Sequence, residues 1–329
     1  MAKVVLGIGT SHSPLLTIAG GDWHARAEAD RRNGSLTLAD GRMLSYDQLV
    51  QERGEPYTAV ATSEKFSELA QVSQAELDKL GEAIAEAQPD VVVIVGDDQD
   101  ELYSPGNMPA LAIFWGQKVI MHAMPDDLPP WMKSMAKGYA MDARHEFAGH
   151  PELALDIIKG MMDRGADLAI CKDVPDTNEA GFGHAFGFPV QRLFGGKKIP
   201  IIPVMLNTYF PPNVLSANRC FDIGVMLREA IEASKLDLRV AIIASGGLSH
   251  FVVEEELDRS VVEGLKDPTG AALRALPREA LLQGSSEILN WVVTAGAVAH
   301  LPLRSATYTP VRRTPAGTGI GLAFATWKK

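Results

Sequence analysis

One stretch constrains the fold of this chain more than any other: Val91-Val92-Val93-Ile94-Val95, an unbroken β-branched run that stops at Gly96-Asp97-Asp98-Gln99-Asp100-Glu101. A strand that is apolar on both faces must be covered on both faces, which is the position of a central strand in an α/β sheet. Shorter apolar runs at residues 4–8, 110–115, 168–171, 199–206, 240–245 and 320–326 supply further strands, with helical stretches between several of them. The clearest helix spans Ser63–Ala87, where Phe66, Leu69, Ala70, Val72, Leu77, Leu80 and Ile84 recur near a 3.6-residue period behind Thr62 or Ser63 as N-cap. This alternation predicts an α/β fold, a single domain over residues 1–329 with a central mixed β-sheet flanked by helices. Residues 20–58 carry scattered charge with little periodicity and read as a surface excursion or a lid, without firm structure.

Composition narrows the function by exclusion. Acidic residues outnumber basic ones 41 to 31, and a net charge of −10 gathers neither nucleic acid nor anionic lipid. Cys171 and Cys220 are the only cysteines, too few for a disulfide framework, and Met1 to Gly7 runs into a strand pattern instead of a signal peptide. No apolar run approaches the roughly 18–20 residues that cross a bilayer. A cytoplasmic protein without membrane or nucleic-acid partners is the expectation.

In open α/β sheets ligands bind beyond the carboxyl ends of the strands, so polar residues that follow apolar runs are the first candidates. Thr10-Ser11-His12 follows residues 4–8, Asp97-Asp98-Gln99-Asp100 follows the Val91 run, and Ser245-Gly246-Gly247-Leu248-Ser249-His250 follows residues 240–245. Histidines and carboxylates converging at strand ends are what a mononuclear metal site needs, and Gly246 and Gly247 let backbone approach closely. Glu287 opens a further helix among apolar neighbours, as a buried ligand or as a partner for the helix N-terminus. Taken singly, His12 and His250 are as consistent with structural histidines as with ligands. Gly183-His184 reads locally as a turn before a helix.

In order along the chain, Gly9-Thr10-Ser11-His12-Ser13-Pro14, the strand ending Gly96-Asp97-Asp98, Gly183-His184, Gly246-Gly247-Leu248-Ser249-His250 and Glu287-x-x-x-Trp291 resemble the class III extradiol ring-cleavage dioxygenases. Within that family the likeness is to the catalytic subunit of protocatechuate 4,5-dioxygenases and, more closely, to single-chain members of the 3-O-methylgallate dioxygenase type. The resemblance implies an Fe(II)-dependent enzyme that opens the ring of a catechol-type aromatic acid with O₂, as in lignin-derived aromatic catabolism. It gives His12 and Glu287 as metal ligands, His250 as the acid/base towards substrate and dioxygen, and His184 as a histidine of the substrate pocket. Thr10, Ser13, Asp97 and Ser249 flank these positions and are the expected substrate contacts.

The chain departs from the family at the second histidine ligand, where Gln99 stands. A glutamine carbonyl is a weaker and harder donor than imidazole, and Asp97 or Asp100 offers an oxygen instead. Single-chain relatives with Asp-Asp-Gln make this a subfamily trait. A cation would meet a substrate carboxylate, with Arg192, Arg312 and Arg313 as candidates, and Phe186, Phe188, Tyr209 and Trp115 could form an aromatic wall. Two other readings remain open: a Zn²⁺ or Mn²⁺ hydrolase or lyase built on His12, Asp97 and Glu287, and a non-catalytic binding protein on the same scaffold. A small α subunit has no counterpart here, so a homodimer is the expected assembly, with residues 20–58 or a neighbouring protomer closing the pocket.

Overall fold

The computed structural model of the chain describes residues 1–175 and 180–329. Its main sheet is built from β1 (Lys3–Thr10), β2 (Val91–Asp97), β3 (Leu111–Phe114), β4 (Ala169–Cys171), β5 (Ile201–Leu206), β6 (Arg239–Ser245), β7 (Leu303–Arg312) and β8 (Gly319–Trp327). Their spatial order is β7-β8-β1-β6-β2-β5-β3-β4. The four central strands β1, β6, β2 and β5 are mutually parallel. Antiparallel pairing at β3 on one side and at the β7–β8 hairpin on the other makes the sheet mixed.

The Val91 run sits in the middle of this sheet, and its side chains divide by parity. Val91, Val93 and Val95 enter one core with the helices Pro151–Met162, Ala217–Ala233 and Ile288–Val298. Val92 and Ile94 enter the opposite core with Ser63–Ala87 and His184–Leu193. A fully buried apolar strand is therefore explained by helices on both faces, as its composition predicts. The Ser63–Ala87 helix is capped by Thr62, whose hydroxyl accepts from the Lys65 N–H at 3.3 Å. Val72 departs from the expected apolar stripe and is 44% exposed.

Residues 20–58 are more structured than their weak periodicity indicates, with helices Trp23–Arg31 and Tyr46–Arg53 and a small hairpin between them. Trp23 is completely buried and donates to the Leu15 carbonyl at 3.0 Å. Leu36, Leu38 and Leu49 pack with Val252 and Ala316 in a small core of their own. The segment is also anchored by charge: buried Asp30 accepts two bonds from Arg313, at 2.7 and 3.1 Å, and one from Thr318 at 2.9 Å. These contacts lie nearly 300 residues apart in sequence, which is why local pattern does not reveal them.

Candidate active site

Because β1, β6, β2 and β5 run in one direction, the residues that follow them emerge at one edge of the sheet. His12 follows β1, Gln99 follows β2, Tyr209 follows β5 and His250 follows β6, and all four line one cavity of about 450 Å³. Glu287 reaches the same cavity from the junction of a 3₁₀ turn, Gln283–Glu287, with the helix Ile288–Val298. Its carboxylate makes no cap to its own helix; it accepts instead from the Gly247 N–H at 2.6 Å. The helix is pinned there by Asn290, which donates to Asp97 and to the Ser245 carbonyl, and by Trp291, which donates to the Gly246 carbonyl. Gly9 is required under that tryptophan, since a Cβ would lie 2.1 Å from the indole ring.

His12, His184 and Glu287 form a group whose ligand atoms all lie within 4.8 Å of one another. The His12 and His184 rings meet edge-on at 4.6 Å. Each histidine is held through Nδ1, His12 by Ser245 Oγ at 3.0 Å and His184 by Glu101 at 2.8 Å, so both Nε2 atoms are turned inward. His12 Nε2 is buried, has no hydrogen-bond partner among the described residues and lies 3.2 Å from Glu287 Oε2. Burial opposes a charge on His184, but the Glu101 bond and carboxylate outweigh it and raise its pKa to about 9. Glu287 is held well below the usual carboxylate range: burial pushes it up, and the neighbouring His12 and His250 more than reverse that.

The expected ligands His12, Gln99 and Glu287 all line the cavity, and His184 joins His12 and Glu287 in the histidine and carboxylate group. Gln99 lies in the same place but points its amide at acceptors, with Nε2 2.9 Å from Asp97, 3.3 Å from Glu287 and 3.5 Å from His184 Nε2. Asp97 is fully buried between Gln99 and Asn290, and burial followed by the Glu287 charge pushes its carboxyl up. Asp98 organises the loop, accepting from the backbone N–H groups of Asp100, Leu102 and Tyr103. Asp100 lines the cavity without joining the His12 group.

His250 donates from Nδ1 to the Leu248 carbonyl at 2.8 Å, which leaves Nε2, 3.2 Å from Glu287 Oε1, as the nitrogen facing the cavity. Tyr209 donates to that same oxygen at 3.1 Å, and burial together with Glu287 keeps its phenol protonated. Ser13 is on the cavity wall, whereas Thr10 is turned into the strand and bonds the Ser11 carbonyl. Ser249 is also turned away, donating through N–H and hydroxyl to Asp258. Phe186 and Phe188 are core residues and Trp115 borders a separate cavity. Arg192 is committed to Asp78 and Gln74, and Arg312 to Glu255. Tyr139, His122, Met124 and Arg26 line the site from segments whose sequence carries no distinguishing pattern. Tyr209 had a signal: Asn207-Thr208-Tyr209 directly follows an apolar run.

Asp258 supports His250 from behind, through Ser249. Burial pushes its carboxyl up to about 6, against the bonds from Ser249 and Tyr308. In the unfolded chain an aspartate ionises near pH ~3.9, so folding takes up a proton between about pH 4 and 6. This group's contribution to stability therefore falls as pH rises through that window, by about 3 kcal/mol in all. Urea unfolding of wild type and Asp258→Asn across that range is expected to show the slope in their difference; a constant difference would refute it.

The fold and the site define an α/β protein with a histidine and carboxylate cluster at the carboxyl edge of its sheet. Residues 56–312 match the family described as the catalytic LigB subunit of aromatic ring-opening dioxygenase, and the chain belongs to that family. It is 29% identical over 164 residues to a gallate dioxygenase of Pseudomonas putida, a match covering 46% of each chain. It is 27% identical over 170 residues to a 2,3-dihydroxyphenylpropionate/2,3-dihydroxicinnamic acid 1,2-dioxygenase of Comamonas testosteroni, covering 51% of this chain and 45% of the relative. An Escherichia coli protein with the same description is 33% identical over 143 residues, 41% of each. The matched stretches thus span less than half the length of these relatives. Among the described residues no helix is long and apolar enough to cross a membrane.

Proposed function

We propose that this protein is an Fe(II)-dependent extradiol dioxygenase that opens the ring of a catechol-type aromatic compound with O₂, its metal held by His12, His184 and Glu287. The observation that carries the reading is the buried His12 Nε2, without a hydrogen-bond partner among the described residues, grouped with His184 and Glu287. Two imidazoles whose other nitrogens are held by Ser245 and Glu101, with one carboxylate beside them, fit the donor set of non-haem iron, including the outer partners that metal-binding histidines need. Bound there, Fe(II) supplies a redox-active centre for the reaction of a diol with dioxygen.

The remaining chemistry belongs to the chain. A cavity of about 450 Å³ suits one substituted aromatic ring, and Met124, Met135, Met141 and Ile320 give it an apolar wall on which the ring can pack. His250 is the acid/base: its Nδ1 is committed to a carbonyl, so any proton it exchanges with a substrate hydroxyl is carried on Nε2. Gln99 and Tyr209 donate to Glu287 and fix its orientation.

The test is O₂ consumption by anaerobically purified, Fe(II)-reconstituted protein with protocatechuate, gallate, 3-O-methylgallate and catechol. Uptake stoichiometric with a ring-opened chromophore is expected with at least one of them. A protein that retains no iron and consumes no O₂ across the panel would overturn the reading.

A further inference from the structure

Two arginines, Arg26 and Arg313, line the cavity. Arg26 lies on the helix Trp23–Arg31 and lines the cavity wall, partly buried, with its guanidinium 5.5 Å from the centroid of the Phe251 ring. Among the described residues it makes no hydrogen bond and no ion pair. Its neighbour Arg313 also lines the cavity but is spent on Asp30 and the Gly319 carbonyl. Asp30, the carboxylate whose charge acts on Arg26, in turn accepts from Arg313 and Thr318. Burial, and then the Arg313 charge, lower the pKa of Arg26, while Asp30, Tyr139 and Tyr209 act weakly the other way. A guanidinium keeps its charge under such conditions and gains most from an anion brought to it, which it grips with paired N–H donors.

We infer that Arg26 is a substrate-binding residue that receives a carboxylate on the aromatic ring, so that the enzyme selects acidic over neutral ring compounds by charge. The inference rests on the proposed reading for the reaction and adds to it the residue that selects an acid. The acid group then sits beside Phe251, next in the chain to His250, which fixes the ring's orientation relative to the acid/base. Arg192 and Arg312, committed to surface partners, have no part in it.

The test is a calorimetric titration with 4-hydroxybenzoate and its neutral counterpart 4-hydroxybenzamide, neither of which has a cleavable diol. It is run on metal-free and on Fe(II)-supplemented protein. Wild type is expected to bind the acid at least about tenfold more tightly, the margin of one charge-assisted contact. Arg26→Met is expected to remove that preference, Arg26→Lys to keep part of it and Arg192→Met all of it. Equal binding of acid and amide by wild type overturns the inference without recourse to any variant, as does a preference that survives in Arg26→Met. Should no catechol elicit O₂ uptake while the charge preference stands, the proposed reaction fails and the anion site survives. Uptake of O₂ without any preference for acids means the reverse.

Discussion

Glu287→Gln is expected to lose iron by more than about 100-fold in affinity, beyond the 10–100-fold that loss of an outer-shell partner costs, and O₂ uptake with it. The size of the effect follows from convergence. The Glu287 carboxylate is met by the Gly247 N–H at 2.6 Å, by Tyr209 at 3.1 Å, by His12 and His250 at 3.2 Å and by Gln99 at 3.3 Å. Glutamine keeps the volume and one acceptor oxygen but removes the charge, and it turns two N–H donors towards groups that are themselves donors. Glu287→Ala removes the acceptor altogether and is expected in addition to destabilise the fold, by about 1–3 kcal/mol for each buried donor left unpaired. Iron content after gel filtration, together with an oxygen-electrode trace, reads both variants. Retention of iron within tenfold of wild type by Glu287→Gln would remove this residue from the metal site.

Gly284→Ala, a single methyl group, is expected to lower the turnover rate by about 10²–10⁴-fold, the contribution of one general acid/base, while leaving iron content unchanged. A Cβ at this position would lie 2.0 Å from His250 Cδ2 and 2.3 Å from its Nε2. The two backbones cannot separate to make room, because the Ser285 N–H and hydroxyl both donate to the His250 carbonyl while the His250 N–H approaches the Ser285 hydroxyl. The imidazole must therefore leave its place beside Glu287. A double variant distinguishes this from general damage. In a His250→Ala background the alanine at 284 is expected to cost little more, since the ring it displaces is gone. Independent, multiplying losses would show that Gly284 acts by some other route.

Much of this architecture is written locally. The Val91 run and the shorter runs at residues 4–8, 199–206 and 240–245 announce the four parallel strands, because strands buried on both faces need no partner to declare themselves. His12, Gln99 and His250 were visible because each follows such a run. β7 was not: its residues are mostly half-exposed, and Pro310 within it is tolerated only because the strand lies at the sheet edge. The ion pair of Asp30 with Arg313 and the placing of Arg26 depend on a segment folded back across the molecule, and nothing in residues 20–58 alone says where it packs. The grouping of His184 with His12 and Glu287 was hidden for a similar reason. Only the turn organised by Asp98 brings Glu101 to its Nδ1, and that turn is a tertiary arrangement of polar residues without periodicity.

The sequence distances within the site have a consequence for biosynthesis. The side chains at positions 12, 184 and 287 come together only through a sheet whose strand order interleaves early and late segments. A nascent chain therefore has no complete cluster until residue 287 has emerged from the ribosome and packed against β1 and β6. An unfolded or truncated chain has, on the same argument, no high-affinity place for the metal. Metal that binds only the native state adds its binding free energy to stability, about 2.7 kcal/mol at a hundredfold excess over Kd. With iron bound as proposed, its acquisition acts as a final proofreading step, favouring those molecules whose first and last segments have found each other.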